Sequence, residues 1–239
     1  MKKLVFLLLM TSFGFATAQQ NEKVNDTTEI KETVLDTITD TKYREDQFYI
    51  GFTFNLLLDR PTDITQSGFS GGFHIGFMRD MPINERRTIA IAAGLGWSAN
   101  SYGQNLIMDA RQDETQFYPI EGGYDTNRFT IYQIEAPIQF RWRNSTPTSY
   151  KFWRVYTGLK LGYIHHTKAN FVGDDFSVKE TNIPEVNKLR YGITLSFGYN
   201  TYNFHLYYSL NDLIDGKMLN SNENVGLSEL KIGFMFYIL

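Results

Sequence analysis

YQIEAPIQFRWR, residues 132–143, alternates from end to end. Tyr132, Ile134, Ala136, Ile138, Phe140 and Trp142 fall on one face, and Gln133, Glu135, Pro137, Gln139, Arg141 and Arg143 on the other. Period two is the signature of a β-strand, because successive side chains point to opposite sides of the sheet. With the residues just before it, the strand is expected over about 129–143.

Seven further segments repeat the pattern. Residues 48–56 set Phe48, Ile50, Phe52, Phe54 and Leu56 against Tyr49, Gly51, Thr53 and Asn55. Residues 69–77 set Phe69, Phe73, Ile75 and Phe77 against Ser70, Gly72, His74 and Gly76, and about 88–100 set Ile89, Ile91, Leu95 and Trp97 against Ala90, Ala92, Gly94 and Gly96. After the central strand, about 152–166 carry Trp153, Val155, Leu159, Leu161 and Tyr163, and about 188–199 carry Leu189, Tyr191, Ile193, Leu195, Phe197 and Tyr199. A tight turn at Asn200-Thr201 leads to Phe204, Leu206, Tyr208 and Leu210, and about 227–239 close the chain with Leu230, Ile232, Phe234, Phe236 and Ile238. Eight is an even number, and each segment is long enough to cross hydrocarbon when tilted. Gaps two, four and six are short and turn-like, whereas the connection 101–127 is long. The expectation is an all-β chain: an eight-stranded antiparallel up-and-down transmembrane β-barrel over 47–239.

Composition agrees. Phe, Tyr and Gly are abundant (19, 15 and 19 residues), yet the mean hydropathy is only −0.31. A membrane barrel reconciles the two, since only alternate residues face lipid and the rest face a polar interior. A soluble, lipocalin-like barrel is the competitor. It would turn its apolar face inward and show Lys, Glu and Thr outside. Here the bulky aromatic face lies opposite a face of glycines and charges, which fits lipid outside better than water.

The first residues read as an address. Lys2 and Lys3 precede an apolar run and then Ala16-Thr17-Ala18, the small-residue pattern of a cleavable signal peptide over 1–18. Residues 19–46 are rich in Thr, Asp and Glu, with no aromatic before Tyr43. They are expected to form a disordered, flexible acidic periplasmic leader, since they cannot bury enough apolar surface to offset their ordering entropy. There is no cysteine, which excludes a lipoprotein anchor, disulfides and thiolate metal sites. A net charge of −3 argues against nucleic acid as a partner. The expected location is the cell outer membrane, with a periplasmic N-terminus and outer-membrane lipid as the first partner.

Glu135, Arg141, Arg143, Arg154, Lys160, Arg190 and Lys231 fall on inward faces. Buried charges must be paired, so these residues are expected to form a structural polar network that plugs the barrel. Simple hairpin register puts Glu135 opposite Lys160, with Arg141 near Arg154 and Tyr156. Eight strands enclose only enough room for side chains, so no aqueous channel is expected, and no cofactor, metal or small-molecule substrate. The adjacent His165 and His166 should point to opposite faces of a strand, a poor chelate. A lipid hydrolase at the outer rim would need a set such as Ser98 and His166 with Asp174 or Glu180, but no local nucleophile motif accompanies them. The expectation is a protein that is not an enzyme. Tyr102, Leu106, Ile107, Met108, Phe117 and Tyr118, in the long connection, are candidates either for a partner-contact loop or for packing over the barrel mouth. Residues 104–110 and 115–121 there read as a hairpin extending strands three and four.

Two stretches carry a family resemblance. Residues 132–141 (YQIEAPIQFR) and 155–163 (VYTGLKLGY) resemble the outer-membrane β-barrel domain family. Residues 43–49 (YREDQFY), 76–84 (GFMRDMPIN) and 151–154 (KFWR) are similar to its PorT branch, called SprT in gliding species. That resemblance implies a non-catalytic accessory role in the type IX protein secretion system, with other secretion-system proteins as partners and, in many members, a link to gliding motility. The alternatives are a small structural or adhesive barrel and, further off, a lipid-modifying enzyme.

Overall fold

A computed structural model describes residues 46–110, 114–120, 122–144, 152–219, 221 and 223–238. The signal peptide, nearly all of the acidic leader and the turn around Pro147 lie outside the described residues. Asp46, assigned above to the leader, accepts a hydrogen bond from the Asp80 amide at 2.8 Å and pairs with Arg79 at 2.8 Å.

Thirteen strands follow in order among the described residues: β1 (Gln47–Leu58), β2 (Gly71–Pro82), β3 (Ile89–Gly103), β4 (Leu106–Asp109), β5 (Gln116–Pro119), β6 (Thr126–Arg143), β7 (Trp153–Val172), β8 (Ser177–Thr181), β9 (Leu189–Tyr199), β10 (Tyr202–Ser209), β11 (Ile214–Lys217), β12 (Asn224–Gly226) and β13 (Ser228–Ile238). Eight of them close into a barrel in the circular order β1, β2, β3, β6, β7, β9, β10, β13. All its ladders are antiparallel, and β1 meets β13 from Phe48↔Ile238 to Leu58↔Ser228. The eight-stranded fold expected from alternation is the fold found.

Outward and inward faces also follow the alternation. Phe48, Leu95, Ile138, Leu159, Leu189 and Phe234 are exposed, while Tyr49, Met78, Gln139, Lys160, Arg190 and Met235 are buried. Aromatic rings edge the exposed band on both sides. Trp153 packs on Tyr199 (5.5 Å) and Tyr202 on Phe236 (5.5 Å) at the end where β1 begins and β13 ends, and Trp97 stacks on Tyr132 (6.0 Å) toward the other. Trp142 and Tyr132 lie ten positions apart on β6, about 33 Å along a strand. At the usual tilt that is about 25 Å of height, the apolar band of an outer-membrane barrel.

Glycine on the inward face has a packing reason. Gly76 and Gly96 sit opposite each other on β2 and β3, and the Tyr49 hydroxyl lies where a Cβ on either would stand. The Tyr49 ring therefore fills the lumen across both.

The long connections fold into a cap with its own core. Leu57, Ile64, Tyr102, Leu106, Met108, Phe117, Phe129, Ile131, Leu213, Ile214, Met218 and Val225 form one buried cluster there. β4 and β5 make the expected hairpin, but as a separate two-stranded sheet. β3 and β6 continue to pair with each other up to Gly103↔Arg128. β11 and β12 form a second small sheet, tied to the first where the Leu219 amide donates to the Phe117 carbonyl at 2.8 Å.

Candidate functional site: the charged lumen and the rim

The seven residues expected to line the lumen are all buried, and they gather into three clusters with three carboxylates, Asp80, Glu135 and Glu229. At the end where β1 begins and β13 ends, Arg143 forks onto Asp80 with Nη1 at 2.9 Å and Nη2 at 2.8 Å, and Arg141 reaches the same carboxylate at 3.3 Å. Arg141 also lies over the Tyr156 ring at 4.5 Å. Arg154, opposite Arg143 in register, stacks over Phe152 at 4.4 Å, with Nε and Nη1 lacking a hydrogen-bond partner among the described residues.

The middle cluster is a closed ring of hydrogen bonds over four strands. Ser98 Oγ donates to Glu135 at 2.8 Å and Asn100 to Ser98 at 3.0 Å. Asn55 donates to Asn100 at 3.3 Å, Thr53 to Asn55 at 2.8 Å, and His74 joins Thr53 (3.1 Å) to Glu135 (3.2 Å). Gln133 and Lys160 complete the Glu135 shell at 2.8 and 3.3 Å. The register differs by one diagonal from the simple hairpin, since Lys160 faces Pro137 and Glu135 faces Gly162. The lysine side chain spans that step.

Toward the cap, Glu229 accepts from Tyr102 and from Arg190, whose Nε and Nη2 lie at 3.2 and 2.9 Å. Lys231 Nζ lies 3.1 Å from the same carboxylate. A void of about 10 Å³ beside Glu135, Lys160 and His205 holds one water at most. The lumen is filled by side chains, six cations against three carboxylates among the described residues.

Asp80, Glu229, His74 and Ser98 were missing from the expected network. His74, Asp80 and Ser98 share the inward parity of their strands, and Glu229 that of Lys231. For Asp80 the signal was hidden because β2 runs to Pro82, past the expected end at 77.

At the rim two open readings are decided and one expectation is corrected. Tyr102, Leu106, Ile107, Met108 and Phe117 are buried and Tyr118 is half-buried, so they pack over the mouth and do not form an exposed contact loop. Ser98 lies inside the barrel on Glu135, whereas His166 lies on the outer wall against Asn182 at 2.9 Å and Asp174 is exposed in the turn between β7 and β8. The Ser98–His166 set is therefore not brought together. Third, a β-bulge opposite Tyr132 and Gln133 breaks the alternation at His165 and His166 and turns both imidazoles to the outer wall. Trp97 Nε1 donates to His165 Nε2 at 3.3 Å, and His166 stacks on Tyr132 at 5.6 Å. Among the described residues no three metal-ligating side chains converge.

The chain is similar to two crystal structures of Ail, the attachment invasion locus protein of Yersinia pestis. One is 16% identical with a TM-score of 0.37, over 80% of this chain and 97% of that one. The other, in complex with the heparin analogue sucrose octasulfate, is 15% identical with a TM-score of 0.32, over 81% and 99%. No curated protein matches the chain. The model of the outer membrane protein beta-barrel domain family matches residues 17–215. With most of its length matched and its strands closed into the barrel that the family name describes, the chain belongs to the outer membrane protein beta-barrel domain family.

Proposed function

We propose that this barrel is a non-catalytic accessory component of the type IX secretion system, held in the outer membrane with its N-terminus in the periplasm. The observation that carries the reading is the filled lumen. Paired charges and the Tyr49 ring occupy the space between the walls, which leaves no route for a cargo protein. A barrel of that kind acts through what it contacts, not through what it conducts. The PorT-like stretches at 43–49, 76–84 and 151–154 support the assignment to secretion. Asp46, within the first of these stretches, pairs with Arg79, within the second, at the barrel end where a periplasmic partner would meet it. Deleting the gene and comparing the secreted proteomes tests the reading. Loss of type IX cargo from the medium, restored by the intact gene, is expected; unchanged export would remove it.

The packed cap favours one other reading, a structural or adhesive barrel that presents a rigid outer face. That protein would leave secretion intact and alter attachment or envelope integrity.

A further inference from the structure

The outer wall carries a polar pocket where β7 changes partner. β7 pairs with β9 as far as Tyr163↔Leu189 and with β8 from Lys168↔Thr181. Between these ladders the Ile164 amide donates to the Lys188 carbonyl at 2.8 Å, and the Asn182 amide to the Thr167 carbonyl at 3.0 Å. A pocket of about 210 Å³ opens there, lined by Tyr163, His165, His166, Asn182 and Lys188 among others, with no carboxylate in its wall among the described residues.

Its depth is fixed by its neighbours. On β7 the exposed apolar row Trp153, Val155, Leu159, Leu161 and Tyr163 ends immediately below His165, and on β9 the exposed row begins with Leu189 immediately above which stands Lys188. Trp97 and Tyr132, the stacked aromatic pair of this girdle, hold the two imidazoles. Lys168, two residues beyond His166, and Arg128 on β6 are exposed on the same wall. Apolar residues, then aromatics, then cations is the order of layers met on leaving a bilayer, and basic pockets at that depth recognise lipid headgroups.

The lining supplies donors. The Trp97 indole can only donate, so His165 Nε2 accepts from it and the ring proton stands on Nδ1. His166 Nδ1 donates to Asn182 Oδ1 at 2.9 Å and so spends its proton on the wall, which leaves His165 Nδ1, the Asn182 amide nitrogen and the Tyr163 hydroxyl as the neutral donors of the lining. Lys188 adds an ammonium, and N–H donors with a cation make a site for phosphate oxygens. We propose that this pocket binds the phosphate of a lipid headgroup in the leaflet facing the cap. The proposal is independent of the secretion reading and rests on the barrel being in the membrane.

Native mass spectrometry of the full chain tests it, with the protein released from nanodiscs of phosphate-free digalactosyldiacylglycerol containing either diphosphorylated lipid A or its dephosphorylated form. The phosphorylated lipid should be retained at least fivefold more. His165→Asn with His166→Asn, and separately the surface pair Lys168→Gln with Lys188→Gln, should each remove most of that difference while the heat-dependent gel shift of the folded barrel persists. Equal retention of the two lipids, or full retention by a folded Lys168/Lys188 variant, would overturn the proposal. Complete displacement by millimolar inorganic phosphate would also overturn it, by identifying a site for the free anion.

Discussion

His74 on β2 and Glu135 on β6 meet at 3.2 Å inside the barrel, with β3 between their strands and both side chains buried. The contact joins residues 61 positions apart across the full width of the intervening strand. Ser98 on β3 completes the bridge below them. The ring of hydrogen bonds therefore ties four neighbouring strands together on the inward face.

Removing the Glu135 carboxylate should strip the ring of its only charge-bearing acceptor and leave Lys160 buried beside none. Glu135→Ala is expected to destabilise the barrel by about 3–5 kcal/mol, the range for breaking a buried pair from one side. Pairing it with Lys160→Met should recover part of that loss. The midpoint temperature of the folded band in unboiled gel samples reads both. Additive losses in the double variant would mean that Lys160 and Glu135 do not interact.

The exposed band makes the opposite demand. Ile138 is 49% exposed, on the outward face of β6 between Trp142 and Tyr132. Ile138→Arg should cost about 2–4 kcal/mol in lipid, as a cation placed near the bilayer midplane does. Asp125→Arg, beyond the girdle and exposed, should change stability little. Urea unfolding in liposomes compares them, and equal effects would argue for water around the wall.

Gly96 is the sharpest packing constraint on the inward face. A side chain there meets the Tyr49 hydroxyl and lies 2.7 Å from the Ile75 carbonyl. Gly96→Val should lower the yield of folded barrel several-fold in refolding assays. Tyr49→Ala should restore part of it, and only part, because the carbonyl still crowds the position. No rescue at all would place the constraint on the backbone alone.

The barrel was legible in the sequence because period two is a local property that survives closure. Each face of residues 132–143 could be assigned without knowing the neighbouring strands, and the inward cations were named by parity alone. The Glu135–Lys160 pair follows from hairpin register between consecutive barrel strands, whereas Asp80 and Glu229 meet their arginines across strands distant in sequence, which no single segment encodes. Glu135 reaches His74 only because β3 intervenes by hydrogen bonding. The bulge at His165 is invisible for a similar reason: one extra residue inverts the faces of everything after it, so Ile164 and Thr167 are both buried although an unbroken alternation would separate them. The cap escaped because its pattern fits an exposed apolar loop and a small core equally well. What decides is how β4, β5, β11 and β12 meet, through contacts such as Phe117 with Met218.

The central claim is a lipid-facing wall around a filled lumen, and the absence of native cysteine permits a direct test. Single cysteines at 133–142, labelled with an environment-sensitive probe in the reconstituted full chain, should report hydrocarbon at Ile134, Ile138 and Phe140. At Gln133 and Gln139, both buried, they should resist both lipid-phase and water-phase reagents. Water access at the Ile138 position would contradict the membrane wall, and free water access at Gln133 and Gln139 would contradict the filled lumen.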